Sequence, residues 1–154
     1  MRCWNNLASI RHVMPNPAIP LAVRRKVFER ANGNCEYCKN QQGYSTAPFS
    51  VEHIVPRGRQ GSDDLENLAL SCPACNAHKH TKLAALDPLT RKVMPLFNPR
   101  TQFWEEHFVW DETFTEVLGL TPTGRATVKC LKMNRTESVN LRLVLAAFGK
   151  HPPG

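Results

Sequence analysis

The sequence predicts a small α+β protein built around one bound metal ion, and three observations carry that expectation. Four of its six cysteines fall into two pairs of identical spacing, Cys35-Glu-Tyr-Cys38 and Cys72-Pro-Ala-Cys75. Between the pairs lie short β-branched and apolar segments split by a Gly- and Arg-containing loop, which is the texture of strands. Outside them, apolar residues recur at helical spacing. A chain of 154 residues that is 42% hydrophobic has enough material for one domain with a core, or for a small domain plus an appendage. Wholesale disorder is excluded. The longest near-continuous apolar run, Leu143 to Phe148, falls far short of the ~18 residues a membrane span needs, and no secretory apolar region opens the chain. The expected compartment is the cytoplasm. Twenty basic against thirteen acidic residues leave a formal charge of +7, which suits a polyanionic partner without establishing one.

The metal expectation rests on geometry. Each two-residue gap lets a tight knuckle aim two sulfurs at one ion, and Cys35, Cys38, Cys72 and Cys75 together complete the tetrahedral four-thiolate shell of Zn²⁺. Two disulfides, or a redox dithiol, are the competing readings; the first lacks an export signal and the second needs only one pair. A closed four-cysteine site has no place for water, so this zinc should hold the fold rather than act in chemistry. Thirty-three residues separate the pairs, so the metal should tie down an inserted structure. Cys3 and Cys130 lack partners at ligand spacing and read as free thiols or packed small hydrophobes.

In chain order, residues 1–20 contain Pro15, Pro17 and Pro20 and no acidic residue, an irregular basic arm. A helix follows over Leu21 to Asn32, with Val23, Val27, Phe28 and Ala31 as its apolar stripe and Gly33 as its stop. Its Arg24, Arg25, Lys26 and Arg30 read as a solvated face or, less directly, as contacts for a phosphate backbone. Phe49 to Val55 reads as a strand stopped by Pro56 and the loop from Arg57 to Ser62, and Ala69 to Ser71 as a second strand entering the second knuckle. Cys72 should cap a helix with Pro73 at its first position, running to about Leu86 before Asp87-Pro88 ends it. From Pro95 onward Phe103, Trp104, Phe108, Trp110 and Phe114 concentrate aromatic mass, of which Trp104, Phe108 and Trp110 read as packing against the central unit rather than as base-stacking platforms. Helices are expected over about Thr123 to Met133 and Glu137 to Phe148, the latter with a stripe at Leu141, Val144, Leu145 and Phe148.

Between the knuckles the chain reads Val51-Glu52-His53-Ile54-Val55-Pro56, then Asp64-Leu65-Glu66-Asn67-Leu68, then Cys72-Pro-Ala-Cys75-Asn76-Ala-His78-Lys79-His80. A carboxylate-His dipeptide, a Pro, a Gly-bearing loop, Asn-Leu, and Cys-x-x-Cys-Asn with a Lys three residues on resembles the HNH endonuclease family over about residues 24–82. The resemblance implies a ββα-metal (His-Me finger) core stapled by the four-cysteine zinc site, with a helical and aromatic C-terminal extension similar to that of certain small stand-alone bacterial HNH proteins. The implied organisation is an N-terminal arm (1–20), a nuclease core (21–94) and an extension packed on it (95–154).

Carried over residue by residue, the resemblance makes His53 the general base, Asn67 the loop-ordering residue, Glu52 the acidic metal ligand and Asn76 its companion, with His80 a further candidate ligand. Glu stands where the family more often has Asp, and Gln60-Gly61 where it often has two glycines. Chemically, neutral imidazole suits deprotonation of water near pH 7, and a hard divalent ion such as Mg²⁺ takes oxygen or imidazole donors. Arg57, Arg59 and Lys79 are candidate phosphate contacts, and Arg100 and Arg125 could also reach DNA. His107 reads as structural. Adjacent residues of a regular strand point to opposite faces, so Glu52 and His53 can serve one site only if the strand bulges there. The implied activity is metal-dependent nicking or cleavage of DNA, leaving 5′-phosphate and 3′-hydroxyl ends. The alternatives are a non-catalytic zinc module that binds nucleic acid, or an interaction protein unrelated to nucleic acid. Oligomeric state is not legible.

Overall fold

The structure is a computed structural model that describes residues 18–154; most of the arm expected over residues 1–20, Cys3 included, lies outside them. It is a mixed α/β architecture in which three separate two-stranded antiparallel sheets are joined and covered by five helices. No described helix is long and apolar enough to cross a membrane.

Helix α1 (Leu21–Arg30) begins directly after Pro20, whose φ of −55° is already near the helical value. Its Val27 is fully buried in the main core. The chain then reverses through Asn32 and Gly33, both at positive φ, and enters the first knuckle. Strand β1 (Ser50–His53) pairs with β2 (Leu68–Ser71) in unbroken register, Ser50 opposite Ser71 through His53 opposite Leu68. β1 is shorter than the expected Phe49–Val55 because Pro56 and the loop after it turn the backbone away, although Ile54 N–H still donates to Asn67 O at 2.9 Å.

Helix α2 (Pro73–Lys79) starts as expected, with the Cys72 side chain accepting from Cys75 N–H and Pro73 at the first position. It stops at Lys79 and does not run to Leu86. His80 takes a φ of 48°, and Ala84–Leu86 becomes β3, paired with β4 (Val93–Pro95). Helix propensity favours Ala-Ala-Leu in a helix, and a tertiary anchor overrides it here. Asp87, fully buried, accepts from Leu89 N–H, Thr90 N–H and the Thr90 hydroxyl, which closes the hairpin loop. It also takes a two-pronged pair from Arg125, with distances of 2.9 and 2.8 Å.

The C-terminal part begins with the one-turn α3 (Trp104–His107), runs straight into β5 (Phe108–Trp110), and pairs it with β6 (Val117–Gly119). Helix α4 (Pro122–Cys130) is capped by the Thr121 hydroxyl, which accepts from Gly124 N–H. Gly124 must be glycine: a Cβ there would lie 2.1 Å from His107 O. Helix α5 (Thr136–Ala147) falls within a residue of its expected ends, but only part of the expected apolar stripe, Leu145 and the half-buried Leu141, faces inward. Val144 and Phe148 are 55% and 76% exposed, while Ser138, Arg142 and Leu145 face inward. The inward face is chosen by hydrogen bonding: Ser138 accepts from Asn40 Nδ2, and Arg142 serves carbonyls of the core.

Of the aromatic segment Trp104, Phe108 and Trp110 pack inward, while Phe103 and Phe114 stay exposed. Trp104 and Phe108 are buried, the Trp104 and Trp110 rings lie 5.5 Å apart, and Trp104 Nε1 donates to Tyr37 O at 2.8 Å. One contiguous core runs from Val27 through the knuckles to Leu131 and Met133.

Candidate active site and metal centre

The four knuckle cysteines converge. Their sulfurs all lie within 4.8 Å of one another and every one is buried. The Cys38 and Cys72 sulfurs are 3.7 Å apart, too far for a disulfide and close to the edge of about 3.8 Å that a tetrahedron with bonds of about 2.3 Å requires. The donor set therefore fits a single tetrahedral metal ion. Two arginines from the C-terminal part flank it: Arg135 Nη2 lies 3.7 Å from Cys72 Sγ, and Arg142 Nη2 donates to Cys38 O at 3.1 Å. Hydrogen bonds from Cys35 and Cys38 lower the Cys72 thiol from its ordinary range, and Arg135 lies against that sulfur. Cys130 stands apart from the cluster.

Beside the knuckles, Glu52 turns into the interior. Tyr37 donates its hydroxyl to Glu52 Oε1, and the Lys79 ammonium reaches Glu52 Oε2 at 2.9 Å with only 2% and 5% of the two side chains exposed. Burial pushes the Glu52 carboxyl up, against the opposing pull of Lys79 and Tyr37. Lys79 also donates to His53 O and Ile54 O, both at 3.0 Å. Lys79 is thus a buried brace for the end of β1, which corrects its reading as a phosphate contact. Because the β1 register has no bulge, Glu52 and His53 point to opposite faces. The carboxylate expected to hold a catalytic ion has both oxygens engaged inside.

His53 faces outward into an open cleft of about 400 Å³, whose wall also includes Pro56, Arg57, Asn76 and His80. The alignment of Asn76 with His80 comes from α2, where His80 N–H closes the last turn on Asn76 O at 2.9 Å. His53 Nε2 lies 2.7 Å from Asp63 Oδ1. An ionised carboxylate only accepts, so Nε2 is the donor of this contact, and in the neutral ring that leaves the lone pair on Nδ1. Asp63 is also gripped by Arg57, Nε to Oδ1 at 2.8 Å and Nη2 to Oδ2 at 2.7 Å. Those bonds, Arg57 first and His53 second, hold its carboxyl down at about 2. Arg57, expected to meet phosphate, instead orients this carboxylate. Arg59 is exposed on the same loop.

Asn67 does what the sequence suggests. Its Nδ2 donates to Val55 O at 2.9 Å and Ser62 O at 2.8 Å, while its Oδ1 accepts from Val55 N–H. Both ends of the loop are therefore clamped to one amide. Gln60 adopts φ +64°, the conformation a glycine would take without strain. Gly61 is required, since a Cβ there would sit 1.7 Å from Val55 O.

Asp63 is the residue that sequence reasoning missed. Ser62-Asp63-Asp64 reads as loop polarity, and only the distance to His53 marks it out. Two other expectations are corrected. Arg100 is bonded to the buried Glu36 and Arg125 to Asp87, so neither is free to meet DNA. His107 is structural as read, with Nδ1 2.6 Å from the Thr121 hydroxyl and its ring against Phe97.

Residues 35–82 match the family model described as HNH endonuclease. The matched segment begins at the first metal-centre cysteine and runs through β1, the clamped loop, β2 and α2, so the similarity spans the cleft and the four cysteines, about a third of the chain. No curated protein matches the chain.

Proposed function

We propose that this protein hydrolyses phosphodiester bonds of DNA at the cleft between β1 and α2, with His53 as general base. The observation that carries the reading is the His53–Asp63 contact at 2.7 Å, set on a loop that Asn67 clamps. A base whose Nε2–H is committed to a carboxylate presents an unprotonated Nδ1 for the proton of an attacking water. The water oxygen then bonds to phosphorus as the bond to the 3′ oxygen breaks. The imidazolium that forms is stabilised by Asp63, as carboxylate-oriented histidines are elsewhere. Arg59, exposed on the same loop, would meet an adjoining phosphate.

The four cysteines would hold Zn²⁺, which organises the fold and takes no part in the reaction. Four thiolates and one Zn²⁺ sum to −2, which brings the loaded chain nearer +5 and gives Arg135 and Arg142 a charge to offset. For a second, divalent ion such as Mg²⁺, the cleft offers Asn76 and His80 but no free carboxylate. When bound between them and the substrate, such an ion would offset charge on the phosphate oxygens.

Supercoiled plasmid incubated with zinc-loaded protein tests the reading. Nicking that requires added Mg²⁺ or Mn²⁺, and that falls by about 10²-fold or more in His53→Ala at unchanged zinc content, is the expected result. An intact plasmid under every metal condition, from folded protein, would overturn it.

One observation favours a second reading: the carboxylate the family would use for metal is held by Tyr37 and Lys79. A zinc-stabilised module that binds DNA without cutting it would show salt-sensitive affinity that survives His53→Ala, with no nicking.

A further inference from the structure

We propose that the apolar groove between α1 and β1 receives one unstacked nucleobase of the substrate strand, so that the preferred DNA has an unpaired or extruded nucleotide beside the cleaved phosphate. The proposal rests on the nuclease reading above and names the substrate class of that same site.

The groove has a volume of about 620 Å³. Its walls are Leu21, Phe28, Pro48, Phe49 and Val51, and two of them leave apolar surface open: Leu21 is 81% and Phe28 40% exposed. Arg24 and Arg25 stand at its edge. Among the described residues Arg25 pairs with Glu29 in an exposed contact of 3.6 Å, a contact of small worth that another anion can displace. Neither arginine is drawn into the core as Arg30 is, whose guanidinium donates to Leu65 O and Leu68 O.

Position argues for nucleic acid over other occupants. Val51 belongs to the wall of the groove and to the wall of the His53 cleft, so the two are continuous. Val51 and His53 lie two residues apart on the same face of β1, about 6.6–6.8 Å along the strand. That is roughly two steps of stacked DNA, which rises about 3.4 Å per base, or one step of an unstacked strand. A strand with its phosphate at His53 therefore brings a neighbouring nucleotide to the groove. The pairing of an exposed aromatic ring with guanidinium groups matches a base and its flanking phosphates, because every base offers a π-face to an apolar or aromatic platform. In an intact duplex those faces are covered by stacking, and reaching one requires extrusion, which costs least where pairing is already broken.

The test uses full-length, zinc-loaded protein carrying His53→Ala, so that binding is read without turnover. Fluorescein-labelled single-stranded oligonucleotide, duplex with a one-nucleotide bulge, and fully paired duplex are compared by anisotropy at one salt concentration. The single-stranded and bulged DNA should bind more tightly than the paired duplex. Phe28→Ala should weaken that binding by about 5- to 150-fold, the equivalent of about 1–3 kcal/mol for a base–aromatic contact, and leave the paired duplex unaffected. Ala22→Trp serves as the second variant, because Ala22 is an exposed groove residue and added bulk there fills the groove without removing packing. Equal affinity for all three DNAs, or single-strand affinity unchanged in both groove variants, overturns the proposal. So does a groove variant that alters oligomeric state by sedimentation, which would assign the groove to a second copy of the chain. Groove-dependent single-strand binding without plasmid nicking by the wild type would sink the catalytic reading and leave the groove assignment standing; nicking without groove dependence would do the reverse.

Discussion

Replacing Arg142 by methionine should cost this protein both stability and metal. Arg142 is 1% exposed. Its guanidinium donates to Thr115 O at 3.0 Å, Cys38 O at 3.1 Å and Asn40 Oδ1 at 3.2 Å, and lies 5.1 Å from the centre of a Trp110 ring. Methionine fills much of the same space but leaves three buried acceptors without a donor. Each such orphan costs about 1–3 kcal/mol, partly returned by the arginine's own escaped desolvation, and a net loss of about 3–5 kcal/mol follows. Against a total stability of about 5–15 kcal/mol that is a large fraction. The same substitution removes a cation beside the thiolate cluster, and loss of such supporting contacts lowers metal affinity about 10- to 100-fold. Urea unfolding followed by tryptophan fluorescence measures the first effect, and zinc release to a chromogenic chelator the second. A loss under about 1 kcal/mol together with unchanged zinc release would refute the reasoning that this arginine joins the C-terminal part to the metal centre.

Lys79→Met strands Glu52 in the interior and should destabilise the fold by about 3–5 kcal/mol in the same urea assay, with Glu52→Gln added to it recovering part of the loss. Gly61→Ala drives a Cβ into Val55 O and should cost about 1–3 kcal/mol, with nicking reduced further because the loop carries Asp63. Asp63 titrates at about 2 in the fold against an ordinary 3.8. A depressed carboxyl contributes stability above its unfolded value and loses it as pH falls through the folded one. The stability gap between wild type and Asp63→Ala should therefore be complete at about pH 5, shrink as pH falls through about 4 to 2, and be lost below about pH 2 in acid-dependent urea titrations; a gap unchanged across that window would contradict the ion pair. Zinc-loaded Asp63→Asn should retain its metal and lose nicking, since an amide can hold the imidazole in the wrong tautomer.

Much of the site can be read along the chain because its parts are local. The two Cys-x-x-Cys pairs define a four-sulfur centre by spacing alone, since a two-residue gap leaves few ways to place both sulfurs. Asn67 and Gly61 act within the loop they belong to, and Cys72 with Pro73 sets the start of α2 within a turn. The starts of α1, α4 and α5 follow from prolines, caps and periodicity for the same reason. The alternation rule even anticipates that Glu52 and His53 part company on a regular strand.

What the tertiary structure decides are the partners of long, flexible charged side chains, whose reach of several ångströms allows many pairings that linear order does not rank. Lys79 turns inward to Glu52 and the end of β1, Arg57 turns to Asp63, Arg100 to Glu36 and Arg125 to Asp87, so that four candidate DNA contacts become scaffold. The end of α2 belongs to the same class. Propensity carries a helix through Ala84–Leu86, whereas the pairing of β3 with β4 and the anchoring of Asp87 by Arg125, thirty-eight residues away, hold a hairpin there. Asp63 becomes visible as an orienter of His53 only when the loop is folded, and the inward face of α5 is set by polar partners on the first knuckle together with Leu145, so that Val144 and Phe148 of its apolar stripe are left outside. Local geometry determined where the metal centre and the candidate base would stand; long-range pairing of buried charge decided what surrounds them, because a charge taken from water must find its complement wherever the fold has placed it.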